Sequence, residues 1–97
     1  MIVVQLQARV KSEEDALRFS QFYRNVIVLA MAQNTGFLEG RCCLSINDPC
    51  ILLVDEHWGN LGAFCWWAHS DLRRALVEQV APVLVEGFRE YVFREIG

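Results

Sequence analysis

Residues 50–76, CILLVDEHWGNLGAFCWWAHSDLRRAL, decide the fold of this chain. The first nine residues are mostly apolar and follow the turn signal NDP, so residues 37–46 and 50–58 predict a β-hairpin. Asn60 and Ser70 are residue types that cap helices. The rest of the stretch therefore predicts a short helix, a break, and a second helix that begins after Ser70.

The segments on either side of the hairpin complete one pattern. Residues 2–10 and 88–96 alternate in polarity, which predicts a strand at each end of the chain. Residues 13–33 predict a helix, because Ser12 is a cap and three acids occupy the first turn. Pro82 ends or kinks the last helix. The order β-α-β-β-α-β, with the second helix broken in two, predicts a ferredoxin-like α+β domain over residues 1–97, with an antiparallel four-stranded sheet.

The first helix changes character along its length. Its first half is amphipathic, with an inner stripe that we expect to contain Ala16, Phe19, Tyr23 and Val26. Its second half is apolar nearly all round, so we expect it to be buried on more than one side.

The composition is more apolar than a small domain needs. The hydrophobic fraction is 54%, whereas soluble domains usually contain about 45–50%. A chain of 97 residues has a high surface-to-volume ratio and a limited interior. We therefore expect the excess to lie at a homodimer interface or around a ligand cavity.

Charge and apolar runs exclude several partners. The net charge is −3 and the basic residues are scattered, which argues against nucleic acid. The longest apolar run, residues 26–32, is far shorter than a membrane span, and the N-terminal residues lack the features of a signal peptide. We expect no membrane contact and a cytoplasmic protein. The four cysteines show no CxxC spacing, so no metal site is predicted.

The tryptophan doublet separates into two features on a helix. Trp67 follows Phe64 by three residues and shares its face, so we expect it to point at the sheet. Trp66 lies about 200° round from Phe64. It should face outward, where a partner is a better cover than solvent.

The sequence resembles the antibiotic biosynthesis monooxygenase-like proteins of the dimeric α/β-barrel superfamily. The resemblance is carried by TGFLEG after the first helix, ILLVDEHW in the hairpin, AFCWWAHSDLRRAL with Phe64 six residues after Trp58, and APVLVEGF before the last strand. It implies a homodimer whose two sheets pack into a shared barrel, with an apolar pocket between sheet and helices in each protomer.

The resemblance also implies a chemistry, because its members include oxygenases that work without a cofactor. An electron-rich phenol or enol is deprotonated, and its anion reacts directly with dioxygen. The protein excludes water, orients the ring and tunes one proton transfer. Aromatic walls and one or two polar groups suffice, so the leading hypothesis is a monooxygenase acting on an aromatic or quinol-like small molecule without a bound cofactor.

The polar candidates lie on the first and third strands. Gln5 and Gln7 share one strand face, where they either orient a ligand or serve the structure; Gln7 also matches an asparagine near the ligand in the heme-degrading branch of these proteins. His57 is the candidate base, because histidine titrates near neutral pH, and Asp55 on the same face could orient it. A structural or solvent-facing histidine is the commoner interpretation.

The aromatic candidates lie on the helices. Phe22, Phe64 and Trp67 would form apolar wall, and Tyr23 could donate its hydroxyl to the pocket. Core packing is the alternative for Trp67 and Tyr23. Trp67 also matches the tryptophan that lines the heme pocket of the heme-degrading branch.

Two observations concern the competing hypotheses, which are a non-catalytic homodimer and a heme-binding or heme-degrading protein. The histidines of many similar proteins are replaced here by Trp67 and Leu72, which supports a non-catalytic binding or structural homodimer. The proximal histidine of the heme-degrading branch corresponds to Val77, which cannot ligate iron, and His69 lies two turns earlier. We therefore expect no heme and no other cofactor.

Overall fold

The computed structural model describes all 97 residues, 1–97. It contains four strands, four α-helices, one π-helical turn and one 3-10 turn. The strands are β1 (Ile2–Arg9), β2 (Phe37–Leu44), β3 (Ile51–Trp58) and β4 (Arg89–Arg94). The helices are α1 (Glu13–Phe22), α2 (Val28–Met31), α3 (Leu61–Ala68) and α4 (Asp71–Val80), with the π-helical turn at Tyr23–Ile27 and the 3-10 turn at Ala81–Val83.

The sheet has the predicted ferredoxin-like arrangement. Its order is β2-β3-β1-β4 and every neighbouring pair is antiparallel. The fold class predicted from the sequence is confirmed. The three predicted helix caps also form: Ser12, Asn60 and Ser70 each accept a hydrogen bond from a backbone N–H three residues later.

The helices cover one face of the sheet and leave the other open. Val4, Leu52 and Val54 point toward the helices and are almost fully buried. The opposite face carries Val3 on β1 and Leu53 on β3, which are only half-buried. The core therefore lies between the sheet and the helices, as expected for an α+β domain.

The first helix differs from its prediction at the π-helical turn. Tyr23 and Ile27 are buried, whereas Val26, expected on the inner stripe, is 38% exposed and Leu29 is 60% exposed. A stripe spaced at four residues drifts by about 40° per step on a regular helix. The wider π turn adds a residue to one turn, which returns the stripe to the sheet. The second half of the helix is thus covered on one side only.

The tryptophan doublet separates as predicted. Trp67 is 4% exposed and Trp66 is 68% exposed. Phe64 is also buried, and its ring contacts that of Trp58 at a centroid distance of 5.7 Å. None of the helices is long and apolar enough to cross a membrane.

Candidate functional site

A buried carboxylate lies at the centre of the core face. Glu56 occupies a position of β3 where the alternation otherwise places apolar side chains, between Val54 and Trp58. It is 3% exposed and is the one charged residue in the buried set. Because an isolated buried charge is costly, a carboxyl held here needs partners.

Two aromatic side chains supply those partners. The Tyr23 hydroxyl donates to Glu56 Oε2 at 2.8 Å, and the Trp58 indole N–H donates to Glu56 Oε1 at 3.2 Å. Each carboxylate oxygen thus accepts one hydrogen bond. A carboxylate oxygen has two lone pairs, so each retains capacity for one further donor.

The surroundings of Glu56 shift the pKa of its carboxyl in opposite directions. Burial raises the pKa of Glu56 above its ordinary 4.5, while the hydrogen bonds from Tyr23 and Trp58 and the charge of Arg73 offset part of that rise. Burial, followed by the negative charge of Glu56, raises the pKa of the Tyr23 phenol above its ordinary range. Tyr23 therefore stays protonated and remains a donor.

Gly40 makes room for the tyrosine hydroxyl. A Cβ atom at this position of β2 would lie 2.5 Å from the Tyr23 hydroxyl oxygen and 3.4 Å from its Cζ. Atoms at the shorter distance would overlap, so any larger residue displaces the Tyr23 ring or the strand. The π-helical turn and Gly40 together position the hydroxyl on Glu56.

Glu56 opens onto a small apolar cavity between the sheet and the helices. Its volume is about 30 Å³, which is room for about one water molecule. Glu56 and Arg73 are the two charged residues among the twelve that line it. The other ten are Leu6, Phe19, Tyr23, Ile27, Val54, Trp67, Leu76, Val77, Val80 and Phe88.

The predicted aromatic residues fall partly around this cavity. Tyr23 and Trp67 line it. Phe64 is buried against Trp58 and Phe22 is half-buried against the core, and neither lines the cavity. Their contact with a ligand stays a prediction.

The predicted polar residues lie on the open face of the sheet. Gln5 stands opposite Asp55 and Val3 opposite His57 in the β1–β3 register, which puts these side chains on the face away from the helices. Gln5 is half-buried and Gln7 is exposed. None of the three predicted residues, Gln5, Gln7 and His57, lines the cavity beside Glu56. Their roles as binding and catalytic groups stay predictions.

His57 has the orienting partner that its spacing predicted. Its Nε2 lies 3.3 Å from Asp55 Oδ2, with both side chains about three-quarters buried. The pair belongs to the open face rather than to the cavity.

The positions relevant to heme are also resolved. Val77 lines the cavity and offers no ligating atom. His69 is exposed at the end of α3, where its Nδ1 lies 2.8 Å from the Cys65 carbonyl oxygen. No three His, Cys, Asp or Glu side chains lie close enough together to hold a metal ion.

Glu56 is the residue that sequence reasoning missed as a functional candidate. The signal was present: Leu52, Val54, Glu56 and Trp58 share one strand face, and Glu56 interrupts an otherwise apolar series. The adjacent His57 was chosen as the candidate base instead, although the alternation of the strand places it on the other face.

Comparison with known proteins adds a fold-level relationship. No protein-family model matches the sequence, and no curated protein matches it significantly. Solved structures match over nearly the whole chain. A Streptomyces coelicolor monooxygenase from the gene ActVA-Orf6, in complex with the ligand nanaomycin D, has a TM-score of 0.85 at 16% identity, covering 99% of this chain and 88% of that one.

Two further structures extend the comparison. A candidate antibiotic biosynthesis monooxygenase from Deinococcus radiodurans has a TM-score of 0.83 at 19% identity, covering 100% of this chain and 94% of that one. A mutant of SnoaB, a cofactor-independent oxygenase from Streptomyces nogalater, has a TM-score of 0.74 at 9% identity, covering 97% and 91%. The resemblance to antibiotic biosynthesis monooxygenases is thus confirmed in the fold.

Proposed function

We propose that this chain is a cofactor-independent monooxygenase that holds a small aromatic substrate against Glu56, which accepts a proton from it. The observation that carries the proposal is a buried carboxylate, fixed by Tyr23 and Trp58, at the edge of an apolar cavity. The fold shared with a cofactor-independent oxygenase supports it.

The arrangement suits removal of a weakly acidic proton. A phenol or enolisable carbon acid next to Glu56 transfers its proton to the free lone pair of a carboxylate oxygen. Burial raises the pKa of that carboxyl, which strengthens it as a base. The apolar walls exclude water, so the substrate anion meets dioxygen in a dry environment.

The overall reaction balances without a further oxidant. For an anthrone-type substrate, the methylene carbon loses two hydrogens and gains one oxygen atom to become a carbonyl. The second oxygen atom leaves as water with those two hydrogens. Dioxygen is reduced by four electrons, all of which come from that carbon.

The cavity must enlarge to admit an aromatic ring, because about 30 Å³ holds no ring. We expect the wall formed by α4 to move, because its displacement costs the least free energy. Arg73 is three-quarters buried and held at the rim by one ion pair, whereas the sheet wall of Leu6 and Val54 is nearly fully buried.

We also propose a homodimer that forms through the open face of the sheet. Tyr91 and Phe93 stack on that face with ring centroids 6.4 Å apart, and they are 44% and 49% exposed. They stand opposite Gln5 and Val3 of β1. A second copy seated there would cover these rings and surround Gln5, Gln7 and His57 with protein.

Oxygen uptake tests the enzymatic proposal. The purified chain is supplied with a panel of anthrones and hydroxynaphthoquinones under isotopically labelled dioxygen. Turnover should place one labelled atom in the product and the other in water. Absence of uptake across the panel, at protein concentrations where ligand binding is saturated, would overturn the proposal.

A non-catalytic binding or structural homodimer is the second candidate. The small volume of the cavity favours it, because a core that stays closed needs no substrate. Both candidates predict a dimer in sedimentation, so ligand binding distinguishes them. A chain that binds none of the panel compounds would support the structural homodimer.

A further inference from the structure

One cation lines the cavity beside Glu56. Arg73, in the first turn of α4, is 25% exposed in its side chain, and its Nη2 lies 3.3 Å from Glu90 Oε1 on β4. The ion pair links the helix layer to the edge strand. Arg73 is the one basic residue among the twelve that line the cavity.

Arg73 also borders a second space outside the core. A surface cleft of about 220 Å³ is lined by four residues of α4, Arg73, Arg74, Val77 and Glu78, and by Ala68 and Ser70 just before that helix. Arg73 and Val77 are the two residues common to the cleft and the cavity. The wall between solvent and the Glu56 carboxylate is therefore formed in part by the Arg73 side chain.

The ion pair at this wall is inexpensive to exchange. Glu90 is 38% exposed in its side chain, so solvent screens the ion pair and weakens it. A guanidinium has five N–H donors, and Glu90 uses one of them. A ligand anion that replaces Glu90 would meet a planar donor set suited to two parallel hydrogen bonds.

The groups at the two ends of the cavity favour one orientation of a ligand. The Glu56 carboxyl at the inner end keeps a free lone pair on each oxygen beside its bonds from Tyr23 and Trp58, so a neutral hydroxyl finds an acceptor there. Arg73 is positive at the outer end. A ligand that satisfies both ends carries an anionic oxygen at one side of an aromatic ring system and an un-ionised acidic group at the other.

We propose that Arg73 exchanges Glu90 for an anionic oxygen of the ligand, so that the cavity selects aromatic acids whose second, neutral hydroxyl reaches Glu56. This inference rests on the proposed function, because it names the substrate class of the same site. It assigns Arg73 to substrate selection and Glu90 to competition with the substrate.

Calorimetric titration with a matched pair of ligands tests the assignment. 6-Hydroxy-2-naphthoate carries the carboxylate and the phenol at opposite ends of the ring system, and its methyl ester replaces the charge with a methyl group. A charge-assisted hydrogen bond contributes about 1.5–3 kcal/mol, so the acid should bind the wild-type chain about 10- to 100-fold more tightly than the ester.

Three variants locate the effect. Arg73→Met should abolish the preference for the acid, so that acid and ester bind this variant with equal affinity. Arg74→Met is the matched control, because Arg74 is adjacent, pairs with Asp71 on the surface and does not line the cavity; it should keep the preference. Glu90→Gln removes the competing carboxylate and should tighten binding of the acid alone.

The outcomes separate this inference from the proposed function. Equal binding of acid and ester, or a preference that survives Arg73→Met, would overturn the inference while leaving oxygenation open to its own test. Charge-selective binding that depends on Arg73 supports the inference even if no oxygen is consumed, in which case the oxygenase proposal fails alone. A wild-type chain that binds neither ligand would overturn the inference, and the oxygenase proposal would still be decided by the oxygen-uptake panel.

Discussion

Two adjacent residues of β3 lie on opposite faces of the sheet and have different environments. Glu56 points to the helices, is 3% exposed and receives hydrogen bonds from Tyr23 and Trp58. His57 points to the open face and pairs with Asp55. A shift of one residue reverses the side of a strand, so the histidine predicted as the base is not the residue beside the cavity.

The largest expected effect separates these two residues in catalysis. Glu56→Gln keeps the size of the side chain but removes the base, so turnover should fall by about 10²–10⁴-fold. His57→Gln should leave turnover close to wild type. Initial rates of oxygen uptake under saturating substrate provide the measurement, and a loss confined to His57→Gln would reverse the assignment of the base.

Two adjacent residues of α3, Trp66 and Trp67, should also differ in their contribution to stability. Trp67→Ala removes a buried indole and should cost about 3–5 kcal/mol of unfolding free energy. Trp66→Ala, at a side chain 68% exposed, should change it by less than about 0.5 kcal/mol in the monomer. Denaturant unfolding of both variants tests this, and equal losses would show that Trp66 is buried in solution.

A smaller effect concerns the approach of Tyr23 to Glu56. Gly40→Ala places a methyl group against the Tyr23 hydroxyl and should destabilise the chain by about 1–3 kcal/mol. Gly87→Ala is the control, since a Cβ at Gly87 meets no atom within 4 Å. Urea unfolding measures the stability of both variants. Equal losses would show that Gly40 is not needed to make room for the Tyr23 hydroxyl.

The smallest effect is a slope of stability with pH. The pKa of Glu56 is raised in the folded chain, so the folded state holds its proton more tightly than the unfolded state. The contribution of Glu56 is therefore fully present below its ordinary pKa of 4.5 and is lost as pH rises through the folded value.

Comparison with Glu56→Gln isolates that slope. The wild-type chain should lose stability relative to this variant as pH rises above about 4.5, by at most about 1.4 kcal/mol per pH unit. Unfolding at a series of pH values measures the difference. A difference that is flat with pH, or that grows in the opposite direction, would show that the hydrogen bonds outweigh burial.

Much of the architecture could be predicted because its signals are local. The four strands, the three caps and the break before Ser70 follow from alternation and from residue types that hydrogen-bond to nearby backbone. The separation of Trp66 from Trp67 follows from helical geometry alone.

The candidate site was less predictable because its members come from different elements. Tyr23 and Trp67 were identified as candidates, and both line the cavity. Gln5 and Gln7 lie on the open face of the sheet, and their contact with a ligand stays a prediction. The expected burial of Val26 was wrong, because a π-helical turn cannot be read from the apolar spacing of a single helix.

The sequence by itself determined the order of elements and which residues share a face, because both depend on the backbone period of a few consecutive residues. The tertiary structure alone decided that Glu56 is buried between Tyr23 and Trp58, that Gly40 admits the hydroxyl, and that Arg73 stands between the cavity and the surface. The burial and the electrostatic surroundings of a side chain depend on residues that are distant in the sequence, so no local sequence pattern can reveal them.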